Sequence, residues 1–145
     1  MQKKLFYLLL TLFLATGCTA NKNSTSNTPE EALDLLHAEE EFAEVLKVYR
    51  ILEADNDRVI AVYKGKMDQK EEIFIADLKK SEEDTWVATD AIGIGTTSEK
   101  TKDESTATAS FEAGYIKKNS APNPNTKTVE IEDDKYKVWV KVNKQ

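Results

Sequence analysis

Side chains able to do chemistry are scarce in this chain, and two types occur once each: Cys18 is its one cysteine and His37 its one histidine. The thiolate is the reactive nucleophile among common side chains, which makes Cys18 the residue most open to covalent modification. His37 would have to serve any zinc site or any Ser-His-Asp device. A structural zinc takes several Cys or His ligands, and a serine nucleophile needs a strained, glycine-flanked turn. Neither pattern is present. Glu82-Glu83-Asp84 and Asp133-Asp134 cluster carboxylates, but in turn-like sequence beside lysines. A solvated turn does not push two carboxyl pKa values apart as acid–base catalysis requires. Asp55-Asn56-Asp57 opens like a calcium loop, yet Ile60 stands where the loop needs glycine and Lys66 where it needs a carboxylate. Gly93-Ile94-Gly95-Thr96 lacks both the third glycine of a dinucleotide loop and the Gly-Lys-Ser/Thr ending of a P-loop, and reads as a bulge or a strand leaving its sheet. The sequence thus offers no catalytic residue, no metal ligand and no cofactor motif, and the chain reads as a non-enzyme.

The surroundings of Cys18 say more. Lys3 and Lys4 form a short positive region, and residues 5–15 are uncharged and almost wholly apolar. An apolar run of 11 residues lies within the range of about 7–15 typical of a signal-peptide core. As a helix it would reach only about 17 Å, against a hydrocarbon core of about 30 Å. It reads as a cleavable export signal and not as a permanent span. Thr16-Gly17 then supplies small residues directly before Cys18.

Leu14-Ala15-Thr16-Gly17-Cys18 resembles a bacterial lipobox, and the chain as a whole resembles the small lipoproteins of Gram-positive bacteria. That resemblance implies a diacylglyceryl group on the Cys18 sulfur, cleavage after Gly17, and a lipid-anchored address on the extracytoplasmic face of the cell membrane. Two acyl chains suit such an anchor: each buried CH₂ contributes about 0.8 kcal/mol, so one chain binds marginally and two hold stably.

Residues 1–17 hold two of the 20 basic residues and none of the 26 acidic ones, so the 128 residues that follow carry a formal charge of −8. That acidity argues against a nucleic-acid partner, which selects a basic patch or stripe. The length suits one domain with a real core, and without a second cysteine that core must hold by packing alone.

Behind Cys18 the chain is small and polar to Asn27, a composition that predicts a flexible tether with a reach of about 15–18 Å. The expected organisation is a signal at 1–17, the lipidated cysteine and tether at 18–27, and a single domain at 28–145. Thr28-Pro29-Glu30-Glu31 announces a helix, with threonine as N-cap, proline at the first helical position and glutamate closing a capping box. Its end is expected among Glu39, Glu40 and Glu41. Short β-rich runs follow at 45–52, 59–63, 73–78, 86–89 and 111–116, separated by turns at 55–57, 65–68 and 81–84. The segment 95–105 reads as a mobile loop or long hairpin. Two prolines, Pro122 and Pro124, break the chain before a final hairpin in which Tyr136, Val138, Val140 and Val142 share one face.

These elements predict an α+β fold: an N-terminal helix packed on one curled antiparallel sheet of roughly five to seven strands. Trp139 falls on the face opposite the valines, among lysines. Its type marks it as a candidate partner contact, and the competing reading buries it beneath the N-terminal helix. The function expected is a membrane-anchored, non-enzymatic binding or interaction module with an envelope protein partner. The alternative is a small-ligand-binding lipoprotein whose curled sheet encloses a pocket.

Overall fold

The computed structural model describes residues 25–98 and 105–144. Helix α1 spans Pro29–Glu40. The Thr28 hydroxyl accepts from the Glu31 amide at 3.2 Å, while the Glu31 carboxylate reaches back to the Asn27 amide at 2.6 Å. Both bonds satisfy amides at the start of the helix that have no partner within it. Glu41 ends the helix in the left-handed region at φ 53°. Ala32 and Leu33 are its buried residues.

Four strands form the first sheet as a meander in the order β1-β2-β3-β4. They run over Glu44–Asp55, Arg58–Met67, Lys70–Lys80 and Trp86–Gly93. Alternation places Val59, Ala61 and Tyr63 of β2 with Phe74, Ala76 and Leu78 of β3 on the helix side. Ile60, Val62, Ile73 and Ile75 face the other way. Both faces are apolar because both are covered, the pattern expected of a sheet sandwiched between layers. At the edge, β1 carries three register shifts, irregularities that twist an edge strand away from further pairing.

The second sheet has the order β5-β6-β8-β7, from Ser105–Ala107, Phe111–Lys117, Lys127–Glu130 and Tyr136–Val142. Its inner face presents Phe111, Ala113, Tyr115, Val129, Val138 and Val140 to the first sheet. The layers are therefore helix, sheet, sheet. The α+β class and the helix-on-sheet packing expected from sequence are present. The single curled sheet of roughly five to seven strands is not: the described residues form two sheets of four strands each. After β4 the chain leaves the first sheet at Ile94, whose side chain is buried between the layers, and Gly95 turns at φ 76°. Two separate sheets let every apolar strand face find a cover, which one curled sheet of this many long strands would not.

Two boundaries also differ. The turn expected at 65–68 lies at Asp68 and Gln69, both with positive φ (51° and 68°), as a two-residue hairpin turn of the primed type demands. Gly65 stays in β2 because the Phe74 ring covers it: a Cβ there would sit 2.8 Å from Cδ2 of Phe74. Ser26, inside the stretch expected to form a tether, packs against the folded body. Ser26 is buried, accepts from the Trp86 amide at 2.8 Å, and donates its hydroxyl to the Trp86 carbonyl.

Candidate functional site

Gly17 and Cys18, the expected cleavage and lipid-attachment positions, lie outside the described residues. Among those described, no helix is long and apolar enough to cross a membrane.

The residues weighed for catalysis or metal binding do not converge. His37 sits in the last turn of α1, exposed, and its Nδ1–H donates to the Phe42 carbonyl at 2.7 Å. The bond ties the last turn of the helix to the chain just beyond its Glu41 cap. Asp55 accepts from the Asp57 amide at 3.1 Å in the β1–β2 turn. Asp84 pairs with Lys80 at 2.8 Å in the β3–β4 turn. Asp133 ties the turn before β8: its carboxylate accepts from the Lys135 and Tyr136 amides, each at 2.8 Å, and from the Thr97 hydroxyl, also at 2.8 Å. Burial alone would raise the Asp133 carboxyl, but these three bonds, with Lys118 nearby, hold it below its ordinary value.

One ionic cluster went unread in the sequence. Arg58 and Asp77 are both buried between the sheets, bonded from Nε to Oδ1 at 2.7 Å. The other two guanidinium nitrogens donate to the Asn143 carbonyl at 3.0 Å and the Ser110 carbonyl at 2.8 Å. The Thr89 hydroxyl, at the register shift in β4, adds a bond to Asp77 Oδ2 at 3.1 Å. The donors and carboxylate oxygens are thus committed to the protein itself, and the cluster is a clasp between layers with nothing left to offer a substrate. A lone acid inside the apolar run Ile73-Phe74-Ile75-Ala76-Asp77-Leu78 was the available signal.

The outer face of the second sheet has no such cover. Helix α1 packs on the first sheet against β1, β3 and β4, so the expectation that it would bury Trp139 fails. Trp139 lies in β8 between Gly114 of β6 and Thr128 of β7, half-buried. Glycine beside it leaves one flank of the indole open, since no side chain competes for the space. Toward the end of β6 the loop 118–126 rises over this face and walls a groove of about 670 Å³. Trp139, Ile116 and Pro124 line it with Lys117, Lys141, Asn123 and Thr126. Asn123 is exposed, and the Thr126 hydroxyl turns back to its carbonyl at 2.6 Å. From sequence the 120–125 stretch read only as a chain break, and no local signal marks it as a wall.

The chain's point of entry lies elsewhere. Ser26 joins the first sheet beside Trp86, which pairs with Lys80. That is the end of the molecule where Arg58 clasps Ser110 and Asn143. The groove sits on the other layer, on the second sheet, and runs along β6 from Glu112 to Lys117.

The chain matches no family model, no curated protein and no solved structure.

Proposed function

We propose that this protein is a lipid-anchored binding module on the extracytoplasmic face of the cell membrane, non-enzymatic, presenting the outer face of its second sheet to an envelope partner. The anchoring half of this reading rests on residues 14–18 and the apolar run before them. The binding half rests on one observation: Trp139 is half-buried in a groove on an uncovered sheet face. Large aromatic rings are enriched where proteins meet partners, because they bury much area at low entropic cost. The position of the groove supports the same reading, since it lies on the second sheet, whereas Ser26, where the tether would join the body, packs on the first.

The space inside a curled sheet, where the alternative would hold a ligand, is taken up between the two layers by Ile60, Val62, Ile75, Phe111, Val138 and Val140, all essentially without exposure.

The test has two parts. Growth with a labelled fatty acid should mark the wild-type protein and leave Cys18→Ser unmarked; equal label in both removes the anchor. A photo-crosslinking amino acid at position 139 in intact cells should then yield adducts that the same group at Asp34, on the exposed helix surface, does not. Identical patterns at both positions reject the binding face.

A further inference from the structure

One backbone edge of the molecule is open, and its residues fit a copy of themselves. We infer that β4 is a dimerisation edge, pairing antiparallel with β4 of a second copy of this chain and joining the two first sheets into one.

The two described sheets have four edge strands, and three of these are guarded. β1 carries three register shifts and the charges of Glu44, Lys47, Arg50, Glu53 and Asp55. β5 has three residues, and β7 has four, with Lys127 and Glu130 at its ends. Irregularity, charge and short length all discourage the addition of a further strand. β4 differs. It runs for eight residues from Trp86 to Gly93, with Asp90 as its one charge and neither lysine nor proline. β3 is its strand partner on one side. On the other side Ser26 engages the Trp86 amide and carbonyl. From Val87 to Gly93 no further backbone bond is made on that side among the described residues. Val87, 49% exposed, is one of two exposed large apolar side chains among them.

Alternation along the strand decides which backbone groups face outward. The Trp86 amide points out, to Ser26, and the Ile94 amide points in, to the Ile73 carbonyl at 2.9 Å. Counting by twos from each end turns Ala88 outward from the first, and Gly93 and Ala91 outward from the second. The register shift of β4 falls between the pairs Leu78–Ala88 and Asp77–Asp90, so Thr89 is an extra residue. That insertion is what brings Ala88 and Ala91 to the same edge.

A two-fold axis between Thr89 and Asp90 then matches the edge to itself. Ala88 of one copy exchanges backbone bonds with Ala91 of the second, and Ala91 with Ala88. The two inserted residues oppose each other, so the spacing agrees on both strands. Val87 meets Ile92 of the second copy, both on the face turned toward the second sheet, where their β3 neighbours are Lys79 and Ile75. Asp90 meets the Thr89 hydroxyl of the second copy instead of another carboxylate. Other registers fit less well. One centred on Asp90 sets acid against acid, one centred on Ala88 runs into Ser26, and one centred on Ala91 leaves Val87 uncovered. Such a pair uses the same edge on both copies and leaves none open, so it closes as a dimer. The axis crosses the layers, which puts the Trp139 faces of both copies on one side.

Cysteines test the register. Cα atoms of a hydrogen-bonded antiparallel pair lie about 5.5 Å apart, inside the disulfide range of about 4.4–6.8 Å. In intact cells under mild oxidation, the full chain carrying Ala88→Cys and Ala91→Cys together should trap a covalent dimer. Either substitution alone, or Leu46→Cys at an exposed position of β1, should trap at least roughly tenfold less, because no partner cysteine lies within range. The wild type sets the background from Cys18. Sedimentation of the purified full chain in density-matched detergent, from roughly 1 to 100 µM, should show a reversible monomer–dimer equilibrium. Val87→Lys places a charge on the edge at an exposed position and should raise the dimer Kd at least roughly tenfold. Its unfolding midpoint at the lowest concentration should match the wild type; if this variant does not fold, the cysteine pattern decides alone. A monomer throughout, no disulfide from the cysteine pair, equal trapping by Leu46→Cys or by either single variant, or full dimerisation of a folded Val87→Lys overturns the inference.

Discussion

Arg58 and Asp77 stand on neighbouring strands of the first sheet, and Arg58 spends its remaining donors on carbonyls of the second. One nitrogen meets Asp77 at 2.7 Å, and the others reach the Ser110 and Asn143 carbonyls at 2.8 and 3.0 Å. The Asn143 amide in turn donates to the Ser110 carbonyl at 2.9 Å. This polar clasp, set between apolar layers, holds the end of the sandwich where Ser26 packs on Trp86. It fixes how the layer bearing Trp139 sits on the layer that receives the chain from Ser26.

Removing one member of a buried ion pair strands the other charge away from water, which costs about 3–5 kcal/mol. Arg58→Met and Asp77→Leu should each lower the urea midpoint by that much stability. The double variant should recover most of the loss, because no unpaired charge remains and both side chains pack. If the double variant is less stable than either single one, the two residues are not acting as a pair. Separately, Arg58→Met should leave Trp139 emission unchanged below the unfolding transition if the clasp serves only stability.

Gly65 is held to glycine by its neighbours. An added Cβ would lie 2.8 Å from the Phe74 ring and 3.1 Å from the Ala43 Cβ, and that ring is fixed by Tyr63 stacked at 5.6 Å and by Phe42 edge-on at 5.6 Å. Gly65→Ala should cost about 1–3 kcal/mol, the range for overpacking a filled core. Thermal unfolding measures it. Combining it with Phe74→Leu should give a loss smaller than the sum of the two, since the smaller side chain vacates the clash.

Asp133 makes stability depend on acid. Its carboxyl is held below the ordinary 3.8 by the Lys135, Thr97 and Tyr136 bonds, which more than offset burial. A group whose folded value is depressed contributes stability that is fully present above its unfolded value and lost as pH falls through the folded one. The contribution should therefore be intact at neutral pH and disappear on acidification below about pH 4. Asp133→Ala should cost about 1–3 kcal/mol at pH 7 and markedly less at pH 2.5, where the wild type has lost the same bonds. Denaturant titrations at the two pH values check this; equal losses at both would show that charge plays no part.

Local chemistry was legible in the sequence wherever one short segment decides the outcome. The Thr28 cap, the Asp55 and Asp133 turns, the meander of the first strands and the alternation that puts Val138 and Val140 on one face all follow from neighbours a few residues apart. The apolar run ending at Cys18 is also a property of sequence alone. Only the tertiary structure decided the rest. The clasp joins Arg58 to residues 19, 52 and 85 positions away, and no local pattern specifies such partners. The division into two sheets depended on which apolar faces could cover one another. Trp139 illustrates the physical reason most directly: alternation placed it opposite the valines, but whether that side met a helix or water was set by where α1 docked, and α1 docked on the other sheet.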